Sequence, residues 1–396
     1  MLSLTSLPEE VLKLVMQHVS LKERLSSCCL VCRRLHAAAV AATDALVLVK
    51  PDNLQSAIPH PCAESAKYWI THYGQHLRTV HLGGFAMKLL QLPCPNLRQL
   101  QLGSGCSVQL EPSSSYPGVM QGCTNLTRLE LQCQLSDARG AVYVGPVDGL
   151  SSLMHLQHLD VQARKDAWRP YALGGLSHAT LSRMQHLTYL RFHSLDVGNL
   201  LHLSALTSLQ VLHLDVVFAG AIAVGPRSVA GMKFPASLKV LCLLCPIEAA
   251  ILSLVPTGLQ DLQLDCDVED EDEDSGPGSF LSCMARLQHL TSFVMVPDGG
   301  AMNGGRGWPL PCPAYSTLTA SSSLVRLQLH NPPGGIWQDV FPATRTLPHL
   351  TSLTFTPCDD GFTEQGGGGE AGAGRGGGGR GRGGLGGGGG GGGGPV

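Results

Sequence analysis

Aromatic side chains are scarce in this sequence. They make up 5% of the 396 residues, whereas hydrophobic residues make up 43%, so most of the apolar mass is aliphatic and leucine-rich. Such a composition suits regularly spaced leucine layers better than an aromatic-lined enzyme pocket. The net charge is also low. Its formal value of −3 gives no general attraction to nucleic acid or anionic lipid. The length suggests two domains or an elongated array.

Long hydrophobic runs are missing. The apolar run Ala37–Ala42 is interrupted by Thr43 and Asp44, and no stretch reaches the roughly 20 residues that span a bilayer. The first residues lack a basic segment and carry Glu9 and Glu10 where a secretory signal would be apolar. We therefore expect neither a signal peptide nor a membrane span.

A dense cysteine framework is missing too. The 14 cysteines are scattered, and several of them, such as Cys94, Cys123 and Cys133, occupy core-like positions. Scattered, buried cysteines favour reduced thiols over a secreted disulfide scaffold. We expect a cytoplasmic or nuclear protein.

Familiar catalytic motifs are also absent from the sequence. It contains no phosphate-binding Gly-x-x-x-x-Gly-Lys loop, no Gly-x-Ser-x-Gly elbow and no His-Glu-x-x-His helix. Cys29, Cys32 and His36 have the spacing of half a zinc site but lack a second pair nearby, and Cys32 also fits a helix-packing role. We expect no enzymatic activity, no cofactor and no bound metal.

The sequence does contain a repeat, Leu-x-x-Leu-x-Leu, which is clearest at residues 97–102 and 126–131. Successive units begin 20 to 34 residues apart, in or slightly above the range of leucine-rich repeats. One unit cannot bury its own apolar face, so neighbouring units stack and share a leucine core. The pattern predicts an α/β leucine-rich-repeat solenoid, with curved parallel strands inside and helices or turns outside. The first leucines of the units are Leu77, Leu97, Leu126, Leu156, Leu187, Leu209, Leu238, Leu259, Leu290, Leu324 and Leu350.

The region before the repeats is predicted to be helical. Ser6 and Glu9 have capping-box spacing, and Pro8 is expected in the first turn, where its missing N–H is no loss. A second apolar stripe begins at Leu21 and ends at Cys32, and a third helix is expected from about Leu35 to Ala42. The first helix has one apolar face at helical spacing, made of Val11, Leu12, Val15, Met16 and Val19.

This helical region resembles the F-box. The resemblance is carried by Leu7-Pro8-Glu9-Glu10-Val11-Leu12, then Val15 and Val19, then Leu30-Val31-Cys32-Arg33-Arg34-Leu35. It covers about residues 4–45, and with the repeats behind it the chain resembles an F-box/leucine-rich-repeat protein. Leu35 stands where the family usually has tryptophan, and the middle segment lacks the usual Asp-Leu pair.

The resemblance implies a division of labour. In this family the F-box docks on a Skp-type adaptor, which connects the protein to a cullin, while the repeats hold a protein substrate for ubiquitination. The chain would then be the non-catalytic substrate-recognition subunit of an SCF-type ubiquitin ligase. The alternative is a helical cap that merely closes the repeat core. The implied docking or supporting residues are Leu7, Pro8, Glu10, Val11, Leu12, Val15, Val31 and Cys32.

Two further functional interpretations remain open. The first is a leucine-rich-repeat interaction scaffold whose F-box is vestigial. The second is RNA association through the tail, where Arg375, Arg380 and Arg382 lie among glycines. No aromatic residues alternate with these arginines, so a neutral extension is favoured there.

Four regions follow from these patterns. We assign the F-box to residues 1–45, a linker or N-terminal cap of the repeats to 46–76, the leucine-rich repeats to 77–365 and a glycine-rich tail to 366–396. The tail holds 22 of the 49 glycines and is predicted to be disordered, because polyglycine has no apolar surface to bury. The acidic run Glu269–Asp274 is predicted to be a solvated loop, with a site for a basic partner as the alternative.

The substrate site is predicted on the concave face of the solenoid. Strand side chains alternate in direction, so residues beside the second and third leucines face away from the core. The predicted substrate-binding residues are Glu130, Asp160, Tyr189, Arg191, His193, His213 and Val240. An ordinary solvated face is the alternative.

Overall fold

The computed structural model of the chain describes twenty segments, and all of them belong to one compact unit, Met1–Pro357. The predicted second helical stripe apart from Cys32, the acidic run after residue 269, Cys133 and the glycine-rich tail lie outside the described residues. The described residues are 7–20, 23, 31–49, 61–83, 87–89, 92–103, 106–109, 120, 122–132, 134–136, 150–162, 178–193, 202–215, 233–244, 247–265, 268–269, 284–296, 313–330, 337–343 and 345–356.

Helices are short in the described part of the chain, and none of them is long and apolar enough to cross a membrane. Short 3₁₀ helices accompany them, among them Gly74–His76 and Pro313–Thr319. The α-helices are α1 (Glu9–Gln17), α2 (Arg33–Ala41), α3 (Pro61–Tyr73), α4 (His178–Arg183), α5 (Ala249–Ser253) and α6 (Trp337–Val340).

Helices α1 and α2 pack on each other around a small core of their own. Leu12 and Met16, one turn apart on α1, are fully buried against Leu35 of α2. The guanidinium group of Arg34 also reaches back to the chain before α1, donating to the carbonyl of Leu7 at 2.7 Å. The expected helical N-terminal region is therefore present.

The starts of these helices differ from the predictions by one or two residues. Helix α1 begins at Glu9, so Pro8 is its N-cap rather than part of the first turn, and Ser6 lies outside the described residues. Helix α2 begins two residues before the predicted Leu35, because the Cys32 sulfur caps it by accepting the Leu35 N–H at 3.5 Å. Boundaries of this kind depend on capping geometry that periodicity does not report.

Twelve of the described strands form one sheet in which every neighbouring pair is parallel, in the order β1-β2-β4-β6-β8-β9-β10-β11-β13-β15-β16-β17. The strands in chain order are β1 (Ala45–Val49), β2 (Thr79–Gly83), β3 (Met87–Leu89), β4 (Gln99–Leu102), β5 (Cys106–Gln109), β6 (Arg128–Leu131), β7 (Gln134–Ser136), β8 (His158–Val161), β9 (Tyr189–His193), β10 (Val211–Asp215), β11 (Val240–Leu243), β12 (Ile247–Glu248), β13 (Asp261–Asp265), β14 (Val268–Glu269), β15 (Ser292–Val296), β16 (Arg326–His330) and β17 (Ser352–Thr356).

The repeat leucines build the core of this sheet, as predicted. In the second unit Leu97, Leu100 and Leu102 are all buried, and Leu100 lies opposite Leu129 of the next strand. Corresponding leucines therefore stack from strand to strand in one register, which is how each unit buries the apolar face that it cannot bury alone. The fold is a leucine-rich-repeat solenoid, as predicted.

Turns, more often than helices, lead into the strands. Where leucines recur three residues apart, the N–H of Leu153 donates to the carbonyl of Leu150 at 3.0 Å, and Leu156 donates to Leu153 at 3.2 Å. All three leucines are buried. This spacing therefore produces consecutive tight turns that keep every third side chain in the core.

Two small parallel sheets accompany the main one, and the sequence did not reveal them. Strands β3, β5 and β7 pair in one, and β12 and β14 pair in the other. Each of these strands follows a strand of the main sheet after a few residues. Glu269, the first residue of the predicted acidic loop, belongs to β14, so at this residue the loop prediction is wrong.

The main sheet begins earlier than the predicted repeats. Strand β1 starts at Ala45 and pairs with β2, so sheet structure extends into the region that was assigned to a linker or cap. Helix α3 lies in the same region and buries Ala66 and Ile70 in the repeat core. A parallel partner, not a leucine repeat, places β1 in the sheet.

Three cysteines lie in the repeat core. Burial raises the pKa of the Cys94 and Cys123 thiols to about 12, and that of Cys106 to about 11. The Cys123 thiol lies 3.5 Å from the carbonyl of Leu92, to which it donates. The core-like positions predicted for Cys94 and Cys123 are confirmed, and such thiols are poor nucleophiles at neutral pH.

Candidate interaction surfaces

Helix α1 leaves large apolar side chains exposed. Leu12 and Met16 face inward, whereas Val11, Leu14 and Val15 are 39%, 58% and 36% exposed. Val31, just before α2, is 68% exposed. We call these four residues the exposed apolar set. Clustered apolar exposure on a small helical unit marks an interaction surface more often than chance exposure does.

The structure separates the predicted docking residues into two groups. Pro8, Glu10, Val11, Val15 and Val31 are exposed. The second group supports them from inside.

That second group comprises Leu7, Leu12 and Cys32. Leu7 and Cys32 are half-buried and pack against the α1–α2 core. Leu12 is 0% exposed, so of the two roles that the resemblance implies it fits the supporting one. The structure divides the predicted apolar face between core and surface, and it exposes Leu14, which the spacing did not single out.

The residues between the core leucines line up across the main sheet. The register pairs His81 with Gln101, Gln101 with Glu130, and so on through every strand to the last. We call this row the central column. Its members are His81, Gln101, Glu130, Asp160, Arg191, His213, Cys242, Gln263, Val294, Gln328 and Thr354.

The column also extends one strand further than the sequence predicted. Val47 of β1 lies opposite His81, and Val47 and Val49 are both more than half exposed. They were missed because β1 carries no leucine repeat. The signal available in the sequence was the alternation of Val47 and Val49 with Leu46 and Leu48.

A polar cluster occupies the middle of the column, on β6, β8, β9 and β10. Arg128 donates to Glu130 at 2.7 Å, and the Nε2 atom of His158 lies 3.7 Å from the same carboxylate. The ring of His158 stacks on Tyr189 with centroids 4.0 Å apart, and Tyr189 lies 5.5 Å from His213. The sequence predicted that these positions share a face, but it did not predict the ring stack.

Asp160 lies within this cluster but is buried. It is 8% exposed, although its register places it in the central column as predicted. Its Oδ2 atom accepts from Gln162 at 3.1 Å, whereas Oδ1 has no hydrogen-bond partner among the described residues. Burial raises the pKa of this carboxyl, with the Gln162 hydrogen bond and the Arg191 charge acting in the opposite direction. A buried acceptor without a donor is costly and unusual.

The rings of the cluster are kept neutral. Burial, followed by the charge of Arg128, lowers the pKa of His158, although Glu130 and Asp160 oppose this. Burial and the charge of Arg191 likewise lower the pKa of His213. At neutral pH both imidazoles are therefore uncharged.

The Tyr189 phenol is neutral for a related reason. Burial, followed by the charge of Asp160, raises its pKa above the ordinary value, although Arg191 opposes this. The two imidazoles and this ring thus form an uncharged aromatic line between charged groups. Arg191, which was also predicted to bind substrate, is half-buried beside these rings.

The strands after the cluster expose less apolar surface than predicted. Val240 and Val211, which pair across β10 and β11, are half-exposed. Cys242 and Val294, however, are buried although they belong to the central column. The side chain of His193 lies outside the described residues.

Metal ligation finds no support where the structure describes the chain, since no group of three His, Cys, Asp or Glu side chains there could hold an ion. Cys32 caps α2, and the Nε2 atom of His36 lies 3.3 Å from the hydroxyl of Tyr73. Cys29, the third member of the half-site, lies outside the described residues.

The N-terminal helices match a known domain. The family model that describes the F-box domain matches residues 4–40. Residues 4–40 are therefore similar to F-box domains. This range contains both motifs that carried the resemblance and ends five residues before the predicted boundary. Helices α1 and α2 and the exposed apolar set all lie within it or at its end.

Solved structures resemble the chain at the level of fold alone. One is an internalin from Listeria monocytogenes, 15% identical, with a TM-score of 0.42 and coverage of 88% of each chain. Another is TLR13 in a complex with the RNA ssRNA13, 17% identical, with a TM-score of 0.44, covering 76% of this chain and 38% of that one. No curated protein matches the sequence significantly. The leucine-rich-repeat assignment therefore depends on the repeat and the sheet themselves.

Proposed function

We propose that the chain is the substrate-recognition subunit of an SCF-type ubiquitin ligase. In this proposal the F-box docks on a Skp-type adaptor that links it to a cullin, and the repeats bind the protein to be ubiquitinated. The role requires no catalysis by the chain itself, and it places the protein in the cytoplasm, the nucleus or both. The observation that carries the proposal is the exposed apolar set within an F-box domain.

The separate core of α1 and α2 argues against a simple cap. Leu12, Met16 and Leu35 form a cluster distinct from the buried leucines of the repeats. A cap that merely closed the repeat core would direct its apolar side chains into that core. Here Val11 and Leu14 point away from their own core into solvent, which is what a docking helix requires.

The polar cluster supports the substrate-binding half of the proposal. It offers an aromatic line of Tyr189 and two neutral imidazoles, with Arg191 alongside. Tyrosine and arginine are common anchors of protein interfaces. We retain Tyr189, Arg191, His213 and Val240 as the proposed substrate footprint, with Glu130, Asp160 and His193 as its neighbours.

Co-purification tests the adaptor-docking half. An epitope-tagged full chain is expressed in cells, and captured Skp-type adaptor and cullin are quantified by immunoblot. Val11→Asp should reduce adaptor capture by about tenfold or more, because it places a charge in an apolar contact. The matched control is Val325→Asp, since Val325 is also 39% exposed but lies before β16.

Each of three outcomes of this experiment is informative. Adaptor captured by the parent and by Val325→Asp, but not by Val11→Asp, supports docking through the F-box. If the parent captures no adaptor, the chain is a repeat scaffold with a vestigial F-box. Equal capture by all three proteins would instead mean that the exposed apolar set is not the docking surface.

A further inference from the structure

A groove runs between helix α1 and the edge of the main sheet at which its strands begin. Its volume is about 740 Å³. Lys13 and Gln17 of α1 line one side, and the turns that precede β2, β4, β6, β8 and β9 line the other. The groove is distinct from the central column, whose residues lie within the strands, and from the exposed apolar set of the F-box.

Three cations face this groove. Arg78 and Arg98 immediately precede β2 and β4, and the Arg98 N–H donates to the Arg78 carbonyl at 2.8 Å, so the two residues occupy equivalent positions on adjacent strands. Lys13 faces them from α1, and Asp44 is the single carboxylate among the lining residues. Within the described part of the chain, no carboxylate forms an ion pair with Lys13, Arg78 or Arg98.

This arrangement concentrates positive charge in the groove. Arg78 and Arg98 are both exposed, so their mutual repulsion is screened by solvent, and Asp44 is the one carboxylate in the lining that offsets their charge. The chain as a whole has a net charge of −3, so the positive groove does not follow from a generally basic composition. A bound anion would turn the repulsion between Arg78 and Arg98 into a bidentate attraction.

The walls of the groove are held in place. The side-chain amide of Asn96 donates to the carbonyl of Gln75 at 2.8 Å, and Asn125 donates in the same way to Pro95. On the other side, the F-box is joined to α3 where the rings of His36 and Tyr73 meet edge to face with centroids 5.7 Å apart. The cations are thus presented on ordered turns, which lowers the entropic cost of binding.

The dimensions of the groove favour an extended ligand. Its lining spans six neighbouring strands, from Asp44 before β1 to His186 before β9. At about 4.8 Å between strands this is roughly 24 Å, the length of about seven residues of extended peptide. No Phe, Tyr or Trp lines it, and the rings in its lining are those of His76, His155 and His186, so an RNA probe is included in the test below.

We propose that this groove binds an extended acidic peptide of a partner protein, whose anionic side chains bridge Arg78, Arg98 and Lys13. Because Lys13 belongs to the F-box and the two arginines belong to the repeats, the peptide contacts both. The anions are carboxylates or phosphates. The proposal does not depend on adaptor docking or on the substrate footprint.

Fluorescence anisotropy with the full chain tests this. The probes are a labelled peptide of eight glutamates, a peptide of eight glutamines, a serine phosphopeptide of the same length and an RNA of eight uridines. The glutamate peptide or the phosphopeptide should bind, and whichever binds better identifies the preferred anion. The glutamine peptide and the RNA should bind at least about tenfold more weakly, since they lack the required charge or fit.

Variants locate the site. Arg78→Gln with Arg98→Gln should weaken binding of the acidic peptide about tenfold, and Lys13→Gln should weaken it by a smaller factor. The matched control is Lys233→Gln with Lys239→Gln, which changes the net charge equally; Lys239 precedes β11 outside the groove. All of these side chains are at least partly exposed, and unchanged melting temperatures would show that the fold is intact.

Three results would overturn the proposal. The first is failure of both acidic probes to bind the parent. The second is an equal loss of binding in the control variant, which would mean nonspecific attraction to the chain. The third is RNA binding that is stronger than peptide binding and is lost in the arginine variant, which would make the groove a nucleic-acid site.

Discussion

The rings of His158 and Tyr189 stack almost parallel, with centroids 4.0 Å apart and an interplanar angle of 9°. The two residues lie opposite each other on β8 and β9. Glu130 approaches His158 from the preceding strand, and His213 approaches Tyr189 from the following one. The middle of the sheet thus presents a continuous row of interacting side chains that is already in place before any partner binds.

Tyr189→Ala should remove the proposed anchor of the substrate footprint. We expect the proteins captured by the tagged chain under proteasome inhibition to fall about tenfold or more, because central tyrosines contribute strongly to interfaces. Captured proteins are quantified by mass spectrometry, and adaptor capture should be unchanged. The matched control is Tyr68→Ala, since Tyr68 also stacks on a histidine, His72, but lies on α3.

The control decides the meaning of this experiment. If Tyr68→Ala depletes the same proteins as strongly, the loss does not report on the central column. If neither variant loses any captured protein, the footprint lies elsewhere and the acidic run Glu269–Asp274 becomes the next surface to alter.

His213 should make the fold less stable in mild acid. Its pKa is lowered by burial and by Arg191, so the folded state binds fewer protons than the unfolded state. Its contribution to stability is therefore complete above the unfolded pKa of about 6.5 and is lost as pH falls through that value. His213→Gln should lose less stability between pH 7.5 and 5.5 than the parent, as measured by urea unfolding. The exposed His289, changed to Gln, serves as control, and the same pH dependence in both variants would contradict the prediction.

Asp160→Asn should stabilise the fold at neutral pH. The buried carboxylate has a raised pKa, so its stabilising contribution is present below the unfolded pKa and is lost as pH rises through the folded one. At pH 7 the amide should therefore be more stable than the carboxylate by about 1 kcal/mol, and this gain should shrink towards pH 4. Thermal unfolding at both pH values measures it.

A matched carboxylate refines this test. Asp261→Asn should give a smaller gain, because the Asp261 carboxylate receives a hydrogen bond from Ser292 and, unlike Asp160, has no fully buried oxygen without a partner among the described residues. Equal gains in the two variants would mean that the oxygen of Asp160 without a donor carries no special cost. A loss of stability would show instead that the carboxylate is needed in the cluster.

Gly122→Ala should destabilise the repeat core, because an added Cβ at this position would lie 2.7 Å from the carbonyl oxygen of Leu92. Relieving that contact requires a backbone shift, with an expected cost of about 1–3 kcal/mol in urea unfolding. Gly258→Ala is the matched control, since nothing lies within 4 Å of its added Cβ. Equal stability of the two variants would mean that the turn before Cys123 yields freely.

Much of this architecture could be predicted from leucine spacing. Leu100 and Leu129 fall in one register because each repeat offers the same inward side chains, and alternation then places Gln101 and Glu130 on the opposite face. The same reasoning did not give the burial of Asp160. That burial depends on side chains of the neighbouring strands, and Glu130 and Arg191 lie close enough for their charges to act on it. Side chains on adjacent strands are distant in sequence, so exposure along the column follows from packing that periodicity does not report.

The surface of α1 shows the same limit. The spacing of Val11, Leu12, Val15 and Met16 identified a helix correctly, but an apolar stripe does not indicate how much of its width a partner element covers. In this chain α2 covers Leu12 and Met16 only. Strands such as β3, with three residues, are too short to produce a periodic signal at all.

The central claim, that the F-box docks on a Skp-type adaptor, is tested most directly with purified proteins. Isothermal titration of the full chain with the adaptor should give saturable one-to-one binding. Leu14→Asp should abolish this binding without changing the melting temperature, since Leu14 is 58% exposed. The absence of binding, under conditions in which another F-box protein binds the same adaptor, would contradict the account.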